Sequence, residues 1–185
     1  MASSFEHSEG VDNSLEALTG RLKVLQQPLG DLMGKACLLF DDLFPQAPHA
    51  RDRAEGYPIY RTSSANFCPV EGIPMARELT VILDGGRWLR VFRNSVGSPN
   101  AFPRKRLWVN KPEGQNTRRT NVLFTHKPAR AEMPYDIEVV DYTPRGICAG
   151  FVGESYHNTE PYIAEAEIAL DEAKDVATRL GMTTH

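Results

Sequence analysis

Three cysteines in 185 residues, Cys37, Cys68 and Cys148, are too scattered and odd in number to build a disulfide framework. That scarcity suits a reducing compartment, and the expected location is cytoplasmic. No stretch approaches the roughly 18 consecutive apolar residues of a membrane span, so no membrane partner is expected. The first ten residues have neither the basic start nor the apolar run of a secretory signal, and residues 1 to 12 read as a disordered tail. Zinc-finger spacings and the ribonucleoprotein consensus are missing. Asp84-Gly85-Gly86 is followed by neither a helix start nor a Lys-Ser/Thr pair, so it is no phosphate loop. No cofactor and no metal site is expected.

One shortage is local. Residues 87 to 130 contain a single acid, Glu113, against eleven of the chain's 21 lysines and arginines. The chain up to residue 86 has seven basic against twelve acidic residues, and residues 131 to 185 have three against eleven, so the whole is only slightly acidic at −3. Such a concentration of cations is the usual mark of a polyanion-binding surface, because phosphates that release counterions supply most of the affinity. It is equally the pattern of a basic sheet packed on an acidic helix.

At 41% apolar and 24% charged, the chain is long enough to bury one core, and residues 13 to 185 read as one α+β domain. Leu15, Leu18, Leu22, Leu25, Leu29, Leu32, Ala36, Leu39 and Leu43 recur at helical spacing along one stripe, with Asn13 and Glu16 resembling a capping box. Pro28 cannot donate to the preceding turn, which predicts two helices, 13 to 26 and 28 to 44. Two arrangements fit: the helices cover the domain's own sheet, or the stripe dimerises as a kinked coiled coil. Residues 45 to 77, with five prolines, form an irregular connection with one short strand at Tyr57 to Arg61.

Strands follow from 78 to 153. Gly85-Gly86 predicts a two-residue hairpin between Glu78 to Asp84 and Arg87 to Arg93, in which Asp84 faces Arg87. That register places Leu79, Val81, Leu83, Trp88, Arg90 and Phe92 on one face; Trp88, Arg90 and Phe92 are of the right types to stack bases and pair phosphates, but a face so apolar reads as core. Lys105 to Asn110 and Arg118 to Thr125 make a second hairpin, and Asp136 to Tyr142 with Gly146 to Gly153 a third. The result is an antiparallel meander of about six strands. An acidic helix from 159 to 181 closes the chain, with Ile163, Ala166, Leu170, Ala173, Ala177 and Leu180 as its apolar stripe and Gly181 as its stop.

The residues expected to bind nucleic acid, RNA included, or a similar polyanion without covalent chemistry are Arg90, Arg104, Lys105, Arg106, Trp108, Lys111, Arg118 and Arg119. Aromatic rings stack on any base, and cations follow the phosphates. In the second hairpin Arg106, Trp108 and Asn110 share the face that looks open. Arg118 and Arg119 alternatively hold a single phosphate. A different class of function is a protein-interaction or inhibitor module, in which the leucine stripe forms a homodimer and the basic surface meets an acidic protein partner. Whether the chain is an enzyme is left open: Cys68 and His126 are the nameable pair for a site built on the 45 to 77 loop. Asp136 and Glu138, on one strand face, read as ion-pairing partners.

Overall fold

The computed structural model describes residues 14–64, 76–94, 105–113, 118–127, 132–142, 148–149 and 160–185. The first helix, α1, runs unbroken from Leu15 to Leu43, where the sequence predicts two. Pro28 sits inside it. The proline is on the exposed side of the helix, as is Val24, whose carbonyl the missing N–H would have bonded, so water can satisfy the orphaned oxygen. The apolar stripe meanwhile continues across the proline: Leu25, Leu29, Leu32, Ala36, Leu39 and Leu43 are all buried. Tertiary packing of that stripe holds the helix together where local propensity would end it. The cap is Ser14, whose hydroxyl accepts from the Ala17 N–H at 3.2 Å. Asn13 lies outside the described residues, as does the expected N-terminal tail.

Seven strands follow in sequence order: β1 Ile59–Ser64, β2 Ala76–Ile82, β3 Trp88–Asn94, β4 Lys105–Glu113, β5 Arg118–His126, β6 Tyr135–Tyr142 and the short β7 Cys148–Ala149. Each pairs antiparallel with the next, so the sheet is an antiparallel meander of an α+β fold. The expected irregular connection thus contains β1 and the start of β2, and residues 48 to 50 lie along the edge of β1. There Ala50 N–H donates to the Arg61 carbonyl at 2.8 Å and Arg61 N–H to the Pro48 carbonyl at 2.9 Å, which blunts a sheet edge. Residues 65–75, with Cys68, lie outside the described residues.

The β2–β3 register differs from expectation by one residue. Asp84–Gly86 form a three-residue loop closed by Leu83 N–H donating to the Arg87 carbonyl at 2.8 Å, and Gly85 and Gly86 both take positive φ. Ile82 therefore faces Trp88, Val81 faces Leu89 and Leu79 faces Val91. A slip of one residue exchanges the faces. The two-residue register would have put Arg90 under the helices together with Leu79 and Val81. The observed one gathers Leu79, Val81, Leu89 and Val91, all at 0% exposure, and leaves the guanidinium outside. Burying an unpaired arginine costs more than an extra loop residue, so the core chooses the register.

The second helix, α2, spans Glu160–Arg179 and buries Ile163, Ala166, Ala169, Leu170, Ala173, Val176 and Ala177. Its end is a Schellman turn in which Gly181, at φ 75°, donates to Thr178 and Met182 donates to Ala177. Both helices lie on one side of the sheet, α2 against β2 and β3 and α1 against β3 to β6. Leu32, Leu43, Leu107 and Ile59, with no exposed surface, meet in this single core. A buried leucine of this kind is worth about 1.5–3 kcal/mol. The leucine stripe from Leu25 to Leu43 is thus internal, while Leu15 at the overhanging start of α1 is 81% exposed. No helix of the described residues is long and apolar enough to cross a membrane.

Candidate nucleic-acid interface on the sheet face opposite the helices

Because side chains alternate along a strand, the residues that do not meet the helices form one second face. From β2 to β6 it carries Glu78, Thr80 and Ile82, then Trp88, Arg90 and Phe92, then Arg106, Trp108 and Asn110, then Leu123 and Thr125, then Asp136 and Glu138. Register joins them in rows: Thr80 faces Arg90, Arg90 faces Trp108, and Trp108 faces Leu123. One row over, Glu78 faces Phe92, Phe92 faces Arg106, and Arg106 faces Thr125. No described element packs on this face, on which Thr80, Asn110 and Thr125 are buried and Trp88, Arg90, Phe92, Arg106 and Trp108 are partly exposed. The loop correction is what makes it coherent, since Trp88, Arg90 and Phe92 move from the expected core to the same side as Arg106 and Trp108.

Aromatic rings and guanidinium groups alternate here in two directions. The Arg90 guanidinium lies over the Trp88 ring at 4.3 Å, that of Arg106 over Phe92 at 5.9 Å, and the Trp88 and Trp108 rings meet edge to face at 5.8 Å. Such contacts hold each cation flat and leave its edge for a hydrogen-bond acceptor. Arg106 Nε and Trp108 Nε1 are shielded from solvent and find no hydrogen-bond partner among the described residues.

The expected site residues are only partly brought together. Arg90, Arg106 and Trp108 share the face opposite the helices. Lys105 does not: it opposes His126 on the helix side, where burial and then the Lys105 charge push the imidazole below the usual histidine range. Arg104 and the side chains of Lys111, Arg118 and Arg119 lie outside the described residues, although the backbone pairs Lys111 with Thr120 and Pro112 with Arg119. Trp88 and Phe92, stacking candidates that the expected register favoured as core, lie with Arg90 on this face, opposite Ile82 and Glu78.

The basic block is partly neutralised within the chain. Arg87 pairs with Glu172 of α2, Arg93 with Asp41 of α1, Lys127 with Asp136 at 2.9 Å, and Arg90 Nε lies 3.7 Å from Glu78. Among the described residues Lys105 and Arg106 make no ion pair. Of the final helix's acids, Glu172 meets the block, whereas Glu167 pairs with Lys35 of α1 at 3.0 Å.

Away from this face, a cleft of about 420 Å³ lies between α2 and the β2–β3 loop. Asp84, Glu172, Asp175 and Arg179 line it, a set without thiol or imidazole. Among the described residues no three His, Cys, Asp or Glu side chains converge as a metal site. No protein-family model matches the chain, nor does any curated protein or solved structure.

Proposed function

We propose that the sheet face opposite the helices binds single-stranded nucleic acid without covalent chemistry. One observation carries this reading: Trp88, Arg90 and Phe92 of β3 and Arg106 and Trp108 of β4 form a continuous aromatic and cationic surface on a sheet whose other side is the core. Unpaired bases present flat rings for stacking, at about 1–3 kcal/mol each, and a strand's phosphates reach the guanidinium edges. Arg90, Arg106 and Trp108 are the residues assigned to contact, with Trp88 and Phe92 added. A mixed-sequence oligonucleotide titrated at low salt should quench tryptophan fluorescence with micromolar affinity. Its log K should fall by about 0.7 per phosphate contact as log salt rises, and Arg106→Gln should lower that slope by about one contact. Absence of micromolar binding at low salt rejects the reading.

A second reading has its own support. With Arg87, Arg90, Arg93 and Lys127 beside carboxylates of the same chain, the face is less basic than the sequence block, and aromatic and arginine side chains also mark protein interfaces. A protein partner seated here would make binding weakly dependent on salt and would compete with any oligonucleotide.

A further inference from the structure

On the helix side of the sheet, at the end of the strands where β3 passes to β4, one cross-strand row is cationic. Register sets Arg77 opposite Arg93, Arg93 opposite Lys105, Lys105 opposite His126 and His126 opposite Tyr135. Two residues inward, the same strands place Leu79, Val91, Leu107, Phe124 and Ile137 in the core. Like charges directly opposite one another are destabilising, and here three follow in succession on β2, β3 and β4. One carboxylate answers them: Asp41 of α1 pairs with Arg93. Among the described residues Arg77 and Lys105 make no ion pair. The Arg93 guanidinium lies over the Phe40 ring of α1 at 5.1 Å, and Tyr135 at the end of the row abuts α1 at Gly30. The core below and α1 alongside are low-dielectric walls, so the row's field is less screened than that of isolated surface charges. That field is felt at His126, whose imidazole is held below the usual histidine range by burial and then by the Lys105 charge.

We infer that Arg77, Arg93 and Lys105 form a site for a diphosphate, on the opposite side of the sheet from the aromatic face and independent of the single-strand reading. Two guanidinium groups side by side each present a planar fork to phosphate oxygens, and the ammonium beyond them acts as a point charge. Arg77 and Lys105 are rooted two strand spacings apart, about 10 Å, so a single phosphate reaches neighbours within the row and a linked pair reaches all three. Bound anion converts the mutual repulsion of the row into attraction, which is why the fold tolerates three cations there. Neighbouring phosphates of a nucleic-acid strand offer the same chemistry, and competition separates the two sources.

The test is thermal unfolding of the full chain in chloride buffer without divalent cations, with pyrophosphate or orthophosphate added at constant ionic strength. Pyrophosphate at about a hundredfold excess over its Kd should raise the wild-type midpoint by about 5 °C or more, and orthophosphate should bind about tenfold more weakly. Arg77→Gln and Lys105→Gln should each weaken pyrophosphate binding about tenfold or more. The same variants should raise the midpoint of the anion-free protein by up to about 4 °C, because each removes a like-charge neighbour of Arg93. A merely structural cation would not show that opposed pair of effects. Arg106→Gln, on the other side of the sheet, should leave pyrophosphate affinity within about twofold. The His126 imidazole, flanked by Lys105 of β4 and Tyr135 of β6, should titrate at higher pH in the complex, since the anion cancels the Lys105 charge. Displacement of a bound oligonucleotide by pyrophosphate would assign the phosphates to a nucleic-acid strand, and simultaneous binding would assign them to a small diphosphate. Pyrophosphate affinity that survives both row variants, that falls with Arg106→Gln, or that orthophosphate matches overturns the site, whatever the oligonucleotide does on the aromatic face.

Discussion

The side-chain amide of Gln26 brackets the backbone of Tyr135: its Nε2 donates to the Tyr135 carbonyl and its Oε1 accepts from the Tyr135 N–H, each at 3.0 Å. One amide in α1 thereby does for the start of β6 what a neighbouring strand's peptide would do. The same tyrosine stacks on His126 at 4.7 Å and approaches the backbone of α1 at Gly30. This contact joins residues 109 apart in sequence and fixes how α1 crosses the β5–β6 end of the sheet.

Gln26→Leu should cost about 1–3 kcal/mol, because it leaves a part-buried N–H and carbonyl without partners while keeping an apolar side chain of similar size. Urea denaturation checks it. A loss under about 0.5 kcal/mol would mean that water replaces the amide at no cost.

Two glycines of α1 should respond in opposite ways. A Cβ at Gly34 meets nothing within 4 Å, so Gly34→Ala should gain about 0.8–1 kcal/mol of helix propensity. At Gly30 the added carbon would lie 3.1 Å from Cε2 of Tyr135, whose backbone Gln26 already holds. Gly30→Ala should therefore show no gain in thermal stability, and a gain equal to that of Gly34→Ala would refute the tight contact.

Pro28→Ala should stabilise the protein by more than about 1 kcal/mol, up to about 3, since it restores an N–H inside a continuous helix at a site that carries no core contact. An unchanged denaturation midpoint would indicate that α1 is already shaped around the proline.

Stability should decline through His126 as pH falls below the ordinary histidine value of 6.5. Its folded pKa lies below the ordinary value of 6.5, so the unfolded chain takes up the proton first. The contribution is complete above the unfolded pKa and is lost as pH falls toward the folded one. His126→Phe, which retains a ring to stack on Tyr135, should flatten that decline. Asp42 acts in a separate, more acidic window: its carboxylate accepts from the His185 backbone N–H and lies against the His185 ring, which hold it below its ordinary 3.8. That contribution is present above the unfolded pKa and disappears as pH falls through the folded one. If the wild type and His126→Phe lose stability in parallel over the higher range, the linkage is wrong.

What the sequence alone determined is the order and kind of the elements. Helical spacing from Leu15 to Leu43, the stripe of Ile163, Ala166, Leu170 and Ala173, the Gly181 stop and the hairpins beyond residue 78 are local patterns, and local patterns survive in one dimension. The faces of β4 were also legible, because parity along a single strand needs no partner. Tertiary structure decided the rest. Pro28 remains inside one helix because the buried leucines on either side of it pack on a common sheet. The β2–β3 loop takes Asp84 as a third residue because only that register buries Leu79, Val81, Leu89 and Val91 together and keeps Arg90 out of the core. Trp88 and Phe92 thereby join Trp108 on the face opposite the helices. Their assignment to core or surface was a competition between two registers of similar turn chemistry, and the cost of burying a guanidinium settled it.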